Sequence, residues 1–187
     1  MADQLYLSYW LHGFTPLSML RYYERFLRAF PYSRLARSPS IFRILAVDYS
    51  QPPIFEKAYV AGLDPDDVLE AAKDFQNDDC AYRLETWWDL WQYEAEWAVA
   101  PSKVTLCCFA PGFEKDLGDD LRIEFGLESH FLPQPDLPEG LLMTESNVKS
   151  LLKLVHDLDD ALNADRRQLW SESGENFAER LEQALSG

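Results

Sequence analysis

A chain of 187 residues with 47% hydrophobic and 14% aromatic side chains carries enough core-forming material to fold as one domain, which excludes intrinsic disorder despite a formal charge of -15. No apolar run reaches the roughly 20 residues of a membrane span. The start Met1-Ala2-Asp3-Gln4-Leu5 has neither the basic cluster nor the long apolar stretch of a signal peptide, so a cytoplasmic location with no membrane partner is expected.

Leu5, Leu7, Tyr9 and Leu11 alternate along residues 5–11, the two-residue period of a strand, which His12-Gly13 ends. Thr15 before Pro16 is a cap with proline at the first helical position, predicting a helix to about Phe30 that Pro31 closes. Leu20, Tyr23, Leu27 and Phe30 form its apolar stripe, and Arg21, Arg25 and Arg28 line an adjacent face. Ile41 to Tyr49 reads as a covered strand, turned by Gln51-Pro52-Pro53 into a second strand at Ile54 to Val60. Asp64-Pro65-Asp66-Asp67 repeats the cap-and-proline pattern, with acids where the helix dipole favours them, and predicts a helix to about Gln76.

Beyond the turn at Asn77-Asp78-Asp79, Tyr82, Leu84, Trp88 and Leu90 share one face of a strand, and Arg83, Glu85, Trp87, Asp89 and Trp91 share the other. A helix over residues 83–97 is the competing expectation, because Leu84, Trp87, Trp88 and Trp91 also fit a helical stripe. Lys103 to Ala110 is a further strand. Leu121, Ile123, Phe125 and Leu127 alternate with Arg122 and Glu124 in a half-exposed one. Pro133, Pro135 and Pro138 make residues 133–140 an extended connector. Thr144 is read as the cap of a helix carrying Val148, Leu151, Val155, Leu158 and Leu162, and a last helix from about Glu175 is expected to pack Phe177 and Leu181.

The order strand, helix, strand, strand, helix, strand through residue 93 is that of a split βαβ unit. The expected fold is therefore α+β: a ferredoxin-like sandwich with a core at 5–132, an added β-hairpin and two C-terminal helices in 144–187, all within one domain spanning 1–187.

Motifs for phosphate loops, nucleophile elbows, zinc proteases and paired-cysteine zinc sites are absent, so no catalytic residue, metal ligand or cofactor is assigned. Cys80, Cys107 and Cys108 are odd in number and read as reduced thiols; Cys107 and Cys108 should face opposite sides of their strand as packing residues. His12 and His130 sit at strand ends; an ordinary surface role is expected of each, and a catalytic pair with a carboxylate such as Asp48 is the alternative that would support acid–base work. His156 lies on a helix with nothing at helical spacing to complete a site.

Residues 87–97 hold four tryptophans in eleven positions, among acids. Core packing accounts for most such rings. Those facing outward, Trp87 and Trp91, are the candidate binding residues, as an aromatic contact patch or a cage for a cation. The stripe of Arg21, Arg25 and Arg28, continued by Arg34, Arg37 and Arg43, is a second candidate for binding, set against neutralisation by the chain's own acids.

Residues 1–60 hold seven Lys/Arg and four Asp/Glu, a balance of +3 that leaves -18 on residues 61–187. Such a field disfavours nucleic acid and favours a basic protein. The functional expectation is an acidic interaction or binding protein, of the kind of an immunity or antitoxin-type inhibitor of a basic partner. An enzyme without a readable motif, and a small-ligand module with an aromatic pocket, are the alternatives.

Overall fold

The computed structural model describes residues 3–60, 62–172, 179 and 181. The N-terminal alternation does what its period requires: in β1 (Gln4–Leu11), Leu5, Leu7, Tyr9 and Leu11 are buried while Tyr6 and Trp10 turn to the other side. Helix α1 (Pro16–Ala29) starts at the predicted cap, where Thr15 and Ser18 hydrogen-bond each other's backbone in a capping box. Strands β2 (Ser40–Ala46) and β3 (Phe55–Tyr59) form a hairpin, and α2 (Pro65–Ala72) is capped by Asp64, which accepts from the Asp66 amide.

The long antiparallel pair β4 (Cys80–Tyr93) and β5 (Trp97–Phe109) follows, then β6 (Leu121–Leu127), a single 3-10 turn at Glu128–His130, α3 (Gly140–Ala161) and β7 (Ala164–Ser171). The seven strands make one sheet in the order β3-β2-β4-β5-β6-β1-β7, with every pairing antiparallel. Helices α1, α2 and α3 pack on one face. Met19, Tyr23, Phe26, Val68, Leu151 and Leu158 from the helices share a core with the inward residues of the strands.

The α+β class therefore holds, but the split βαβ arrangement does not appear. That arrangement lays β1 parallel to a later strand, whereas here β1 lies antiparallel between β6 and β7. Residues 164–171, expected within a helical C-terminal part, are this edge strand β7. Its mostly polar segment Ala-Asp-Arg-Arg-Gln-Leu-Trp-Ser shows no apolar period, and cross-strand pairs hold it: Trp170 stacks on Tyr6 at 4.2 Å and Arg166 lies over the Trp10 ring at 4.3 Å. The helix expected from Glu175 lies outside the described residues apart from Glu179 and Leu181, the latter buried.

Two local boundaries also differ. Thr144 does not cap α3 but sits inside it, donating to the Gly140 carbonyl at 2.8 Å, because the cap is Glu139, with a left-handed φ of 57°, five residues earlier. Gly140 is required there, since a Cβ would lie 2.0 Å from the Gln134 carbonyl oxygen. The competing helix over residues 83–97 is not formed: β4 runs to Tyr93 with β5 beside it, in register from Ala81 opposite Phe109 to Tyr93 opposite Trp97.

Much of the second sheet face stays open, as antiparallel sheets allow. Leu45, Ala81, Cys107, Phe109 and Phe113 form a small second core at one end, so Cys107 and Cys108 do face opposite sides. The rest carries interleaved charge: Arg43 bridges Glu56 and Glu85, Arg83 meets Glu124, and Arg122 makes two 2.8 Å bonds to the fully buried Asp119. Ser8 also donates to Asp119, and the Trp170 indole N–H donates to Ser8. Among the described residues no helix is long and apolar enough to cross a membrane.

Candidate functional site

Strand β2 pairs only with residues 80–85 of β4 and β6 only with residues 105–108 of β5, so the outer half of the β4–β5 hairpin extends past both neighbours. Unpaired strand edges must be satisfied by other groups. The segment after α1 covers the first stretch, through the Ser33 amide donating to Trp87 O at 2.8 Å, with Asp89 accepting from Ser33 Oγ and the Arg34 amide. Asn147, reaching from α3, covers the next. Its Oδ1 accepts from the Trp91 amide, and its Nδ2 donates to both Trp91 O and His130 O, so one buried side chain ties the helix, the hairpin and the 3-10 turn together.

A pocket of about 460 Å³ opens where these parts meet. Trp91, Tyr93 and Trp97 supply its aromatic walls from the hairpin, with His130, Leu132 and Pro133 opposite. Tyr93 and Trp97 are direct cross-strand partners, their ring centroids 5.4 Å apart and tilted by 59°. The Trp97 indole donates to Pro138 O at 2.6 Å, which fastens the proline segment to the hairpin end. That segment is braced from within by Gln134, whose amide donates to Ser129 O.

Glu94 stands at the pocket edge. The segments 91–97 and 129–139 that build the pocket contain Glu94, Glu96, Asp136 and Glu139 and not one Lys or Arg. Burial pushes the His130 imidazole below its ordinary pKa, so it is neutral at neutral pH and leaves the sign of the local field to the acids. Electron-rich ring faces beside a carboxylate, with no Lys or Arg among the described residues that line the pocket, attract a positive group.

The residues singled out in the sequence fall on different surfaces. Trp91 lines this pocket. Trp87, also half-buried, lies further back along the same side of β4 and donates its indole N–H to Pro39 O at 3.3 Å, in a separate depression beside Lys103. Arg21 and Arg25 are exposed on α1, their guanidinium groups 5.5 and 5.7 Å from the Tyr22 ring centroid, and Arg28 pairs with Glu24 and Asp66. Because α1 lies on the covered side of the sheet, this stripe and the outward tryptophans do not form one surface.

The histidines separate likewise. His12 is exposed and 3.1 Å from Asp165, and His156 is exposed beside Asp160. Asp48 serves the Ser50 turn, whose hydrogen bonds lower its carboxyl pKa. Among the described residues no group of three His, Cys, Asp or Glu side chains is placed to hold a metal ion. Tyr93, Trp97 and Glu94 were present in the tryptophan-rich stretch as a signal, but the parts played by His130 and Asn147 had none, since both come from distant elements.

Comparison with protein-family models, with curated proteins and with solved structures gave no match.

Proposed function

We propose that this chain is a binding protein that receives a cationic group of a basic partner protein in the aromatic pocket at the end of the β4–β5 hairpin. The observation that carries this reading is the gathering of Trp91, Tyr93 and Trp97 beside Glu94 in one open pocket built by segments without a Lys or Arg. Cation–π attraction at such a site contributes about 0.5–2 kcal/mol, and the long-range field of a chain with net charge -15 speeds encounter with a basic surface. The same field works against a nucleic-acid partner. An immunity or antitoxin-type inhibitor of a basic protein meets these physical requirements, and three free buried cysteines suit a cytoplasmic setting.

A free small cation is the second reading, favoured by the pocket's volume, which lies in the range of small-molecule sites. NMR titration of the full chain with tetramethylammonium chloride, N-acetyl-lysine methylamide and uncharged tert-butanol tests the pocket. Saturable shifts of the Trp91 and Trp97 indole signals are expected with the two cations and not with the alcohol. Equal shifts with all three, or none, would overturn the proposal.

A further inference from the structure

A cavity of about 270 Å³ lies between the segment after α1 and helix α3, against β4. It shares no lining residue with the aromatic pocket. Its floor is apolar, built by the buried side chains of Trp88 and Leu154. Four charged groups also line it: Arg34 from the segment, Asp89 from β4, and Lys153 and Asp157 from α3. Lys153 and Asp157 neutralise each other across one helical turn. Arg34 and Asp89 do not meet. The Asp89 carboxylate accepts from the Ser33 hydroxyl and the Arg34 backbone amide, both neutral donors, and forms no ion pair among the described residues. The Arg34 guanidinium is exposed and has no ion pair or hydrogen bond among the described residues, in a chain that carries 32 Asp and Glu.

One cavity thus holds an unpaired cation and an unpaired anion over an apolar floor. We propose that it binds a free α-amino acid with an apolar side chain, its carboxylate on the Arg34 guanidinium, its ammonium on Asp89 and its side chain against Trp88 and Leu154. A guanidinium takes a carboxylate through two parallel N–H donors, and each Asp89 oxygen keeps a lone pair for an ammonium. A bare anion would leave Asp89 without a counter-charge, and a bare cation would leave Arg34 without one. A zwitterion serves both. Having no net charge, it is also not opposed by the field of a chain at -15, which repels a simple anion. The volume falls just below the roughly 300–1,000 Å³ of drug-sized ligand sites, which suits a molecule of amino-acid size.

NMR titration of the full chain with L-leucine, with L-leucinamide, which lacks the carboxylate, and with 4-methylpentanoate, which lacks the ammonium, tests this site. L-leucine should bind saturably, shifting the Trp88 indole signal and leaving those of Trp91 and Trp97 in place. Each analogue should bind about fivefold or more weakly at Trp88, as the loss of one charge-assisted contact implies. Arg34→Gln removes no internal contact and does not endanger folding. It should weaken L-leucine by a similar factor and leave L-leucinamide unchanged, whereas Arg37→Gln, outside the cavity, should alter neither. No saturable shift of Trp88 with L-leucine, or an affinity that survives Arg34→Gln, would overturn the proposal. Equal binding of 4-methylpentanoate would make the cavity an anion site, and equal binding of L-leucinamide at Trp88 a cation site, and either result would overturn the amino acid. Shifts confined to Trp91 and Trp97 would belong to the aromatic pocket and refute binding here while leaving the cation reading intact.

Discussion

Asn147 holds both backbone groups of Trp91, accepting from its amide at 2.8 Å and donating to its carbonyl at 2.9 Å. A side chain on a helix thus does the work of a neighbouring strand where β2 no longer reaches. Asn147→Ala removes those two bonds and the one to His130 O in a place from which water is excluded. The expected loss is about 2–4 kcal/mol in urea unfolding, together with weaker cation binding as the hairpin end loosens from α3.

Asp119 is fully buried against Arg122 and Ser8, and breaking such a pair leaves an uncompensated charge. Arg122→Met should therefore cost about 3–5 kcal/mol in unfolding free energy. The double variant Asp119→Leu with Arg122→Met should recover part of that loss, which a double-mutant cycle will measure.

Trp97→Ala should weaken tetramethylammonium binding about tenfold or more, since it removes one ring face and the bond to Pro138 O that positions the proline segment. Replacing Arg21, Arg25 and Arg28 together by Gln should leave that binding unchanged within about twofold, because these exposed side chains lie on the helical side of the sheet. The NMR titration with tetramethylammonium reads both variants.

The His130 imidazole is held below its ordinary value of 6.5 by burial. The unfolded chain takes up this proton at a higher pH than the folded one, so between those two values the unfolded state binds more protons and stability falls as pH falls. His130→Gln should flatten that part of the profile in urea unfolding between about pH 7 and pH 5. Cation affinity should decline in the wild type as pH falls through the lower, folded-state value, because protonated His130 places a like charge in the pocket.

Gly140→Ala should displace the segment whose Gln134 carbonyl oxygen lies 2.0 Å from the position of the new Cβ. A stability loss of about 1–3 kcal/mol is expected, with altered indole signals from Trp97 as the proline segment shifts.

Elements whose signal lies within a few residues are legible in the sequence alone. The alternation of Leu5, Leu7, Tyr9 and Leu11, the Thr15-Pro16 and Asp64-Pro65 starts and the two faces of β4 follow from periods and caps that need no distant partner. The same holds for the opposite orientation of Cys107 and Cys108. Edge strand β7 was not legible, since its polar residues are held by Tyr6 and Trp10 from the other end of the chain.

Composition, charge and local periodicity settled the α+β class, the acidity and the presence of outward-facing tryptophans, because each is a property of short stretches or of simple sums. The order of the strands, the placing of His130 opposite Trp91 and the reach of Asn147 were decided by long-range packing. A strand edge accepts any partner that offers a donor and an acceptor, and only the folded chain selects which one.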